Sequence, residues 1–324
     1  MAVAYFRGVS VGYMIMAPST GAGLMPTVSV IMNAHNSEKY VRESIQSVVD
    51  QTWINWEIIL WDNASNDGTQ GVVESFADPR MKYFNIPQKV SLYQSRMNAV
   101  RAAQGELIAF LDCDDLWADN KLELQIAVFD DPSCVASCTD YLVFDERTDA
   151  SDRAELNRFR TYSTPVTEAM TLIRDYRVGM STLVVRRRAA LSNWEENPPD
   201  YSMIEDYDML VRIIAAGPLV PIQEPLMRYR IHDNNFSWKN GTAILEWKRW
   251  QENVSSLPLE PRLQDEVRLC IMRRVADLEA REALRIGCGS DARSAVRQMA
   301  PSWKRLKYWS VSWLPMKLIM KLAS

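Results

Sequence analysis

The sequence has 324 residues, of which 47% are hydrophobic and 24% are charged, and its formal net charge is −4. This length suits one large α/β domain with an appendage, or two domains. Because the net charge is slightly negative, the protein has no overall positive electrostatic potential to attract nucleic acid, and we do not expect nucleic acid as a partner. Five cysteines without CxxC spacing and only two histidines exclude a disulfide framework and a histidine-rich metal site.

Residues 1–25 are expected to form a flexible tail. Arg7 and the apolar run from Val9 to Ala17 weakly resemble a signal peptide. A β-rich segment, however, starts directly after Pro26, which favours a flexible tail over a signal peptide. Met25 is then an alternative position for the start of translation. We therefore expect a cytoplasmic protein.

Short β-rich runs alternate with helical patterns in the segment that follows. Strands are predicted over Thr27–Asn33, Trp56–Asp62, Met81–Ile86 and Glu106–Leu111, and helices from Ser37, after Gly68 and over Ser91–Ala103. Such alternation predicts an α/β fold with an open, mainly parallel sheet flanked by helices. Asn33, Asp62 and Asp112 stand at strand ends, so we expect them to converge on one crevice.

The rest of the chain divides into a second half of this domain and a helical region. A loop is predicted over residues 145–165, a strand over Met180–Arg187, a helix over Ile204–Ala216 and a strand over Leu226–Ile231. The pattern is helical from about Thr242 onward. We therefore assign a catalytic domain to residues 26–236 and a helical C-terminal region to residues 237–324.

Three carboxylates follow the fourth predicted strand. Asp112, Asp114 and Asp115 include a D-x-D string, and side chains so close repel one another unless a cation or donor groups neutralise them. Mn²⁺ and Mg²⁺ prefer oxygen ligands and often complete their shell with substrate phosphates. The cluster therefore indicates a metal site for a diphosphate substrate, although a solvated turn with an acidic helix cap remains an alternative.

Taken in order, the motifs of the chain resemble glycosyltransferase family 2, the inverting enzymes with a GT-A fold. The matching pieces are Val28–Asn36, Gln51–Trp53, Glu57–Thr69, Asn98 with Ala103–Gly105, Phe110–Trp117, Glu205–Asp206 and Tyr229–His232. The first piece departs from the family pattern because the aromatic residue that often flanks the base is absent. The resemblance therefore leaves the nucleotide and the sugar open.

The resemblance also implies roles for single residues. Contacts with the nucleotide are implied for Asn33 and Ala34 (the pocket floor), Asp62 (the base or ribose) and Asp112 (the ribose). Metal binding is implied for Asp114, with Asp115 supporting it, and contact with the diphosphate or the metal for Arg96 and His232. Asp206 is implied as the catalytic base, with Glu205 beside it.

The start of the helix that carries Glu205 and Asp206 allows a second interpretation. Adjacent residues of a helix point about 100° apart, so one carboxylate can face the crevice while others meet solvent. A base for an inverting transfer needs such a position, and the helix N-terminus favours its ionised form. Acidic residues in a first turn, however, also serve to complement the helix dipole.

Residues 301–324 combine basic and aromatic side chains and contain no acidic residue. This pattern predicts peripheral contact with the inner face of the cell membrane, or a helix packed on the rest of the protein. Membrane contact would suit a lipid-linked acceptor.

These observations predict an inverting, metal-dependent glycosyltransferase of the hexosyltransferase class. It would move a sugar from a nucleoside-diphosphate sugar to a saccharide or lipid-linked acceptor, in cell-surface polysaccharide or glycolipid synthesis. A nucleotidyltransferase and a non-catalytic nucleotide-sugar-binding protein are the alternatives. The first is disfavoured because the loop after the first strand, Asn33–Ser37, lacks the glycines and basic residues such enzymes use.

Overall fold

A computed structural model describes most of the chain. The described residues are 2–6, 9–15, 27–147, 157–193, 200–233, 235, 240–257, 259–286, 288–299, 305 and 308. The chain divides into two compact units, Met1–Asn234 and Asn235–Ser324. Among the described helices, none is both long and apolar enough to cross a membrane.

In the first unit, strands and helices alternate up to the acidic cluster. The strands are β1 (Ala2–Phe6), β2 (Val9–Ile15), β3 (Val28–Ala34), β4 (Trp56–Asn63), β5 (Met81–Ile86), β6 (Leu107–Phe110), β7 (Leu116–Trp117), β8 (Ala136–Asp145), β9 (Asn157–Phe159), β10 (Val184–Arg186) and β11 (Leu219–Ile231). The helices are α1 (Val41–Val49), α2 (Thr69–Glu74), α3 (Leu92–Ala102), α4 (Lys121–Val128), α5 (Ala169–Arg174), α6 (Arg187–Asn193) and α7 (Glu205–Ile213).

The described strands form one sheet in the order β1-β2-β5-β4-β3-β6-β10-β8-β11-β7, with β9 paired to β8. β5, β4, β3 and β6 run parallel, as predicted, while β10 runs antiparallel to both β6 and β8. The sheet is therefore mixed. The predicted α/β fold with flanking helices is confirmed.

Burial explains why the parallel strands form. Val28, Val30 and Met32 on β3 are fully buried, and Val41 and Ile45 of α1 pack in the same core cluster. Helical spacing places the apolar side chains of α1 on one face, which covers the sheet.

Gly105 lies just before β6, where the backbone of β3 approaches closely. A Cβ atom at this position would stand 2.6 Å from the amide nitrogen of Ser29, so a larger residue would push the two strands apart. The Gly105 amide instead donates to Ser29 Oγ at 2.8 Å. This contact fixes the start of the strand that leads into the acidic cluster.

Two sequence predictions differ from the structure. The tail predicted over residues 1–25 contains β1 and β2, which pair with each other, and β2 adds antiparallel to β5. The loop predicted over residues 145–165 contains β9, which pairs with β8. In both cases a strand forms by pairing with another strand, β2 with β5 and β9 with β8, which its own sequence pattern does not reveal.

The second unit is helical in its described part, as predicted. It contains α8 (Asn240–Glu252), α9 (Pro261–Arg285) and α10 (Gly289–Gln298). Ala276 and Ala280 of α9 form a core cluster with Ala295 and Val296 of α10. Apart from Arg305 and Tyr308, the predicted membrane-contacting segment 301–324 lies outside the described residues.

Candidate active site

The acidic turn after β6 is held in place by Ser181. The Asp112 amide donates to Ser181 Oγ at 3.1 Å, and this hydroxyl donates to Asp115 Oδ2 at 2.6 Å. The other Asp115 oxygen accepts from the Arg230 amide at 3.2 Å. Burial, and then the charges of Asp114 and Asp112, raise the pKa of Asp115 well above its usual value. Asp115 thus anchors the turn through both carboxylate oxygens, and its predicted support of a metal at Asp114 stays a prediction.

Asp114 and His232 lie together at the surface of the turn. Oδ2 of Asp114 is 3.0 Å from Nε2 of His232, and the two side chains remain 30% and 10% exposed. The His232 ring packs against the Tyr40 ring, with 4.7 Å between centroids. A carboxylate and an imidazole side by side are suitable ligands for Mn²⁺.

Within the described residues, no group of three or more His, Cys, Asp or Glu side chains is arranged to hold a metal ion. Mg²⁺ commonly binds through one or two carboxylates and completes its shell with water and substrate phosphates. The pair Asp114 and His232 therefore fits a cation that arrives with a diphosphate. It does not fit a cation held by the protein alone.

Arg96 of α3 joins the acidic turn to the start of α7. Its guanidinium is 4% exposed, lies 2.7 Å from Asp112 Oδ1 and pairs through its other amino group with Glu205. These two carboxylates raise the pKa of Arg96 further, although burial opposes them. Both ends of the Arg96 guanidinium bind carboxylates, and its predicted contact with the diphosphate or the metal stays a prediction.

Glu205 and Asp206 begin α7 and point to different partners. Burial raises the pKa of Glu205 to about 8, against the opposing charge of Arg96, and its Oε2 atom is buried without a hydrogen-bond partner. Asp206 accepts from the Tyr176 hydroxyl at 3.1 Å and from the Tyr207 amide at 2.7 Å. Burial also raises the pKa of Asp206. A carboxylate with a raised pKa is a better proton acceptor, as a general base requires.

The residues predicted to contact the nucleotide lie at the ends of β3 and β4. Asn33 donates to Ser95 Oγ at 2.9 Å, and Ala34 is buried. Asp62 is fully buried and accepts from the Tyr83 hydroxyl at 2.5 Å and from the Ser65 amide at 2.8 Å. Asp62 thus stabilises the loop after β4, and nucleotide contact by these three residues stays a prediction.

Three residues of the site, Ser181, Arg230 and Tyr176, were not singled out from the sequence. Arg230 donates from Nε to the Asp114 carbonyl at 2.9 Å and pairs with Glu43 at 2.6 Å and Glu146 at 3.1 Å. Arg230 lies within the Tyr229–His232 motif that the family resemblance includes, so the sequence did contain a signal for it. Tyr176, which binds Asp206, stands in no motif and left no signal.

Comparison with known proteins agrees with this geometry. Residues 29–193 match the family model described as glycosyl transferase family 2. The chain belongs to this family. This glycosyltransferase is 28% identical over 220 residues to TuaG of Bacillus subtilis strain 168, named for teichuronic acid biosynthesis, and the match spans 66% of this chain and 84% of TuaG.

A second relative shares a shorter segment. The glycosyltransferase is 42% identical over 101 residues to the Escherichia coli UDP-Glc:alpha-D-GlcNAc-diphosphoundecaprenol beta-1,3-glucosyltransferase WfgD, over 31% of this chain and 40% of WfgD. The fold resembles that of S. aureus TarS 1-349 in complex with UDP-GlcNAc. The TM-score is 0.66 at 15% identity, over 92% of this chain and 90% of TarS 1-349. The predicted family and its GT-A fold are thus confirmed.

Proposed function

We propose that this glycosyltransferase is an inverting, metal-dependent hexosyltransferase. In this proposal it moves a sugar from a UDP-sugar to a hydroxyl of a saccharide carried on a lipid diphosphate, in cell-surface polysaccharide synthesis. One observation carries the chemistry: Arg96 ties Asp112 of the acidic turn to Glu205, next to Asp206. Arg96 thereby links the turn proposed to bind the diphosphate to the start of the helix that carries the proposed base. The name of WfgD supports the donor and acceptor classes, and the name of TuaG supports a role in polysaccharide synthesis.

The proposed mechanism assigns the proton transfer to Asp206. Its carboxylate takes the proton of the acceptor hydroxyl as the acceptor oxygen attacks the anomeric carbon. The bond from that carbon to the diphosphate breaks on the opposite face, and UDP leaves with the electron pair, which inverts the configuration. Glu205 is less suited to this step because its side chain is buried and ion-paired with Arg96, whereas Asp206 is partly exposed.

Asp114 and His232 are the residues that would hold a divalent cation in this mechanism. When bound, the cation would supply positive charge for the departing diphosphate. Arg230 and Ser181 would keep the turn in place through the contacts they make with Asp114 and Asp115. Peripheral membrane contact through residues 301–324, on the cytoplasmic side, remains part of the proposal.

Nucleotide release from a panel of UDP-sugars in the presence of Mn²⁺ would test the proposal. We expect Asp206→Asn to slow transfer by about 10²- to 10⁴-fold, the usual contribution of a general base, while UDP-sugar binding persists. Asp265→Asn is the matched control, because the Asp265 side chain is 95% exposed on α9. Transfer that survives Asp206→Asn would contradict this base, and wild-type protein inactive on every UDP-sugar would contradict the donor class.

A further inference from the structure

Lys121, the first residue of α4, is a fully buried lysine. In the described part of the chain, no carboxylate forms an ion pair with its ammonium group. Burial lowers the pKa of Lys121 to about 7, and the positive end of the α4 dipole also disfavours a cation at this position. A buried charge without a counter-ion is costly, and groups with shifted pKa values concentrate at functional sites.

Two buried side chains contact the Lys121 ammonium group. Its Nζ atom donates to Oε1 of Gln125 and lies 4.1 Å from the centre of the Trp117 ring, which is the geometry of a cation–π contact. Gln125 is fully buried, and Trp117 is 6% exposed. Because water is excluded from both contacts, a charge on Lys121 acts on these side chains more strongly than it would at the surface.

The same two side chains bind consecutive carbonyl groups of one short segment. Nε1 of Trp117 donates to the Ser181 carbonyl at 2.7 Å, and Nε2 of Gln125 donates to the Thr182 carbonyl at 3.0 Å. Ser181 and Thr182 belong to the short 3₁₀ helix Met180–Thr182. Two hydrogen bonds from behind therefore fix the position of this helix.

Ser181 connects the short helix to the acidic turn. Its hydroxyl accepts from the Asp112 amide and donates to the Asp115 carboxylate. The position of this hydroxyl depends on the Ser181 backbone, which Trp117 holds through the carbonyl. A continuous series of contacts thus runs from the Lys121 ammonium group to the acidic turn.

We propose that Lys121 is a positioning residue for the acidic turn, which its charged ammonium group holds in place through Trp117 and Gln125. The proposal rests on the proposed function in one respect, namely that the turn binds the diphosphate of the donor. The charged form attracts the face of the Trp117 ring, whereas a neutral amine keeps only the hydrogen bond to Gln125. The turn is therefore held more firmly below about pH 7 than above it.

Cys138 of β8 is the titratable neighbour, among the described residues, whose charge acts on Lys121. Burial raises the pKa of Cys138 to about 12, so its thiol is neutral at moderate pH. The protonation state of Lys121 itself therefore sets the charge beside the Trp117 ring in the neutral pH range.

The first test follows the Trp117 indole N–H by NMR in full-length protein labelled with ¹⁵N-tryptophan, without metal or nucleotide. Trp117→Phe identifies the signal, because it removes that indole. We expect the signal to shift with a midpoint at about pH 7 in the wild type and to stay constant in Lys121→Met, which carries no charge beside the ring. Hydrogen exchange of residues 112–117 should be faster in Lys121→Met, while exchange in α9 stays unchanged.

The second test measures UDP binding in the presence of Mn²⁺ by calorimetry. Lys121→Met and Trp117→Phe should each weaken this binding about fivefold or more, because small displacements of a binding group are costly. Lys248→Met is the matched control, since Lys248 is 50% exposed on α8 and should leave UDP binding unchanged.

Two outcomes would overturn the proposal. One is a Trp117 signal that stays constant across neutral pH in the wild type, a measurement that does not depend on how well Lys121→Met folds. The other is a Lys121→Met protein of lower stability whose turn exchange and UDP binding equal those of the wild type, since Lys121 would then serve only the core. Failure of the proposed function looks different, because wild-type protein would then bind no UDP, and hydrogen exchange of the turn would still decide the role of Lys121.

Discussion

The hydroxyl of Tyr176 donates a 3.1 Å hydrogen bond to Oδ2 of Asp206. Burial has the largest effect on Asp206 and raises its pKa, while the hydrogen bond from Tyr176 lowers it. The charge of Arg96 and the Tyr207 amide also lower the pKa of Asp206, so Tyr176 is one of several groups that favour the charged carboxylate in a site that disfavours charge.

Replacing Tyr176 with phenylalanine should shift the pH dependence of transfer. In the proposed mechanism Asp206 acts in its charged form, so activity should fall as pH drops through its pKa. Loss of the hydrogen bond raises that pKa further, so the acid limb of kcat/KM should move to higher pH. The measurement is a pH profile of wild type and Tyr176→Phe with the same UDP-sugar. Coincident acid limbs would show that Tyr176 does not tune the base.

Removing the charge of Arg96 should destabilise the fold. Arg96→Met leaves the buried Glu205 carboxylate without its cation, and breaking a buried ion pair in this way costs about 3–5 kcal/mol of unfolding free energy. Urea unfolding would measure the loss. The double variant Arg96→Met/Glu205→Gln should recover part of it, because the unpaired charge is gone.

The control for Arg96 is Arg262→Met. The Arg262 side chain is 79% exposed and its ion pair with Glu260 lies at the surface, so its loss should change stability by less than about 0.5 kcal/mol. Equal losses in the Arg96 and Arg262 variants would contradict the bridging role of Arg96.

The part of the fold that the sequence predicted is the part that local patterns determine. β3, β4 and β6 are buried along their length, so their continuous apolar runs marked them as strands of a parallel sheet. β8 was missed because Thr139 and Asp140 interrupt its apolar run. Asp140 is buried there by its ion pair with Arg158 at 2.7 Å, a contact made only in the folded chain.

In the site, too, local sequence patterns predicted some features, whereas contacts between distant residues determined the others. The strand-end pattern predicted that Asn33, Asp62 and Asp112 converge. In the structure Asp112 binds the Arg96 guanidinium together with Glu205, which begins a helix rather than ending a strand. The sequence could not show that the cation is Arg96, since Arg96 and Glu205 are separated by 109 positions. The family resemblance already separated Asp114 from Asp115, but only the fold shows that Asp114 stays accessible beside His232 while Ser181 and Arg230 bind the buried Asp115.

Substitution of glycine by alanine should change the unfolding free energy in opposite directions at two positions. At Gly217, where φ is +155°, a Cβ atom would lie 2.4 Å from the Ser133 carbonyl oxygen, so Gly217→Ala should lose about 1–3 kcal/mol of unfolding free energy. At Gly71 in α2 nothing lies within 4 Å, so Gly71→Ala should gain about 0.5–1 kcal/mol, because alanine loses less backbone entropy in a helix. Thermal unfolding of both variants would check the two signs.

Metal dependence can be tested through the pair Asp114 and His232. If they bind the cation together with the diphosphate, Mn²⁺ should bind weakly without nucleotide and more tightly with UDP present. Asp114→Asn and His232→Ala should each weaken Mn²⁺ binding in the presence of UDP by at least about tenfold. Asp265→Asn, far more exposed, should leave this binding unchanged. Calorimetry would measure these affinities, and full transfer activity in excess EDTA would rule out a role for the cation.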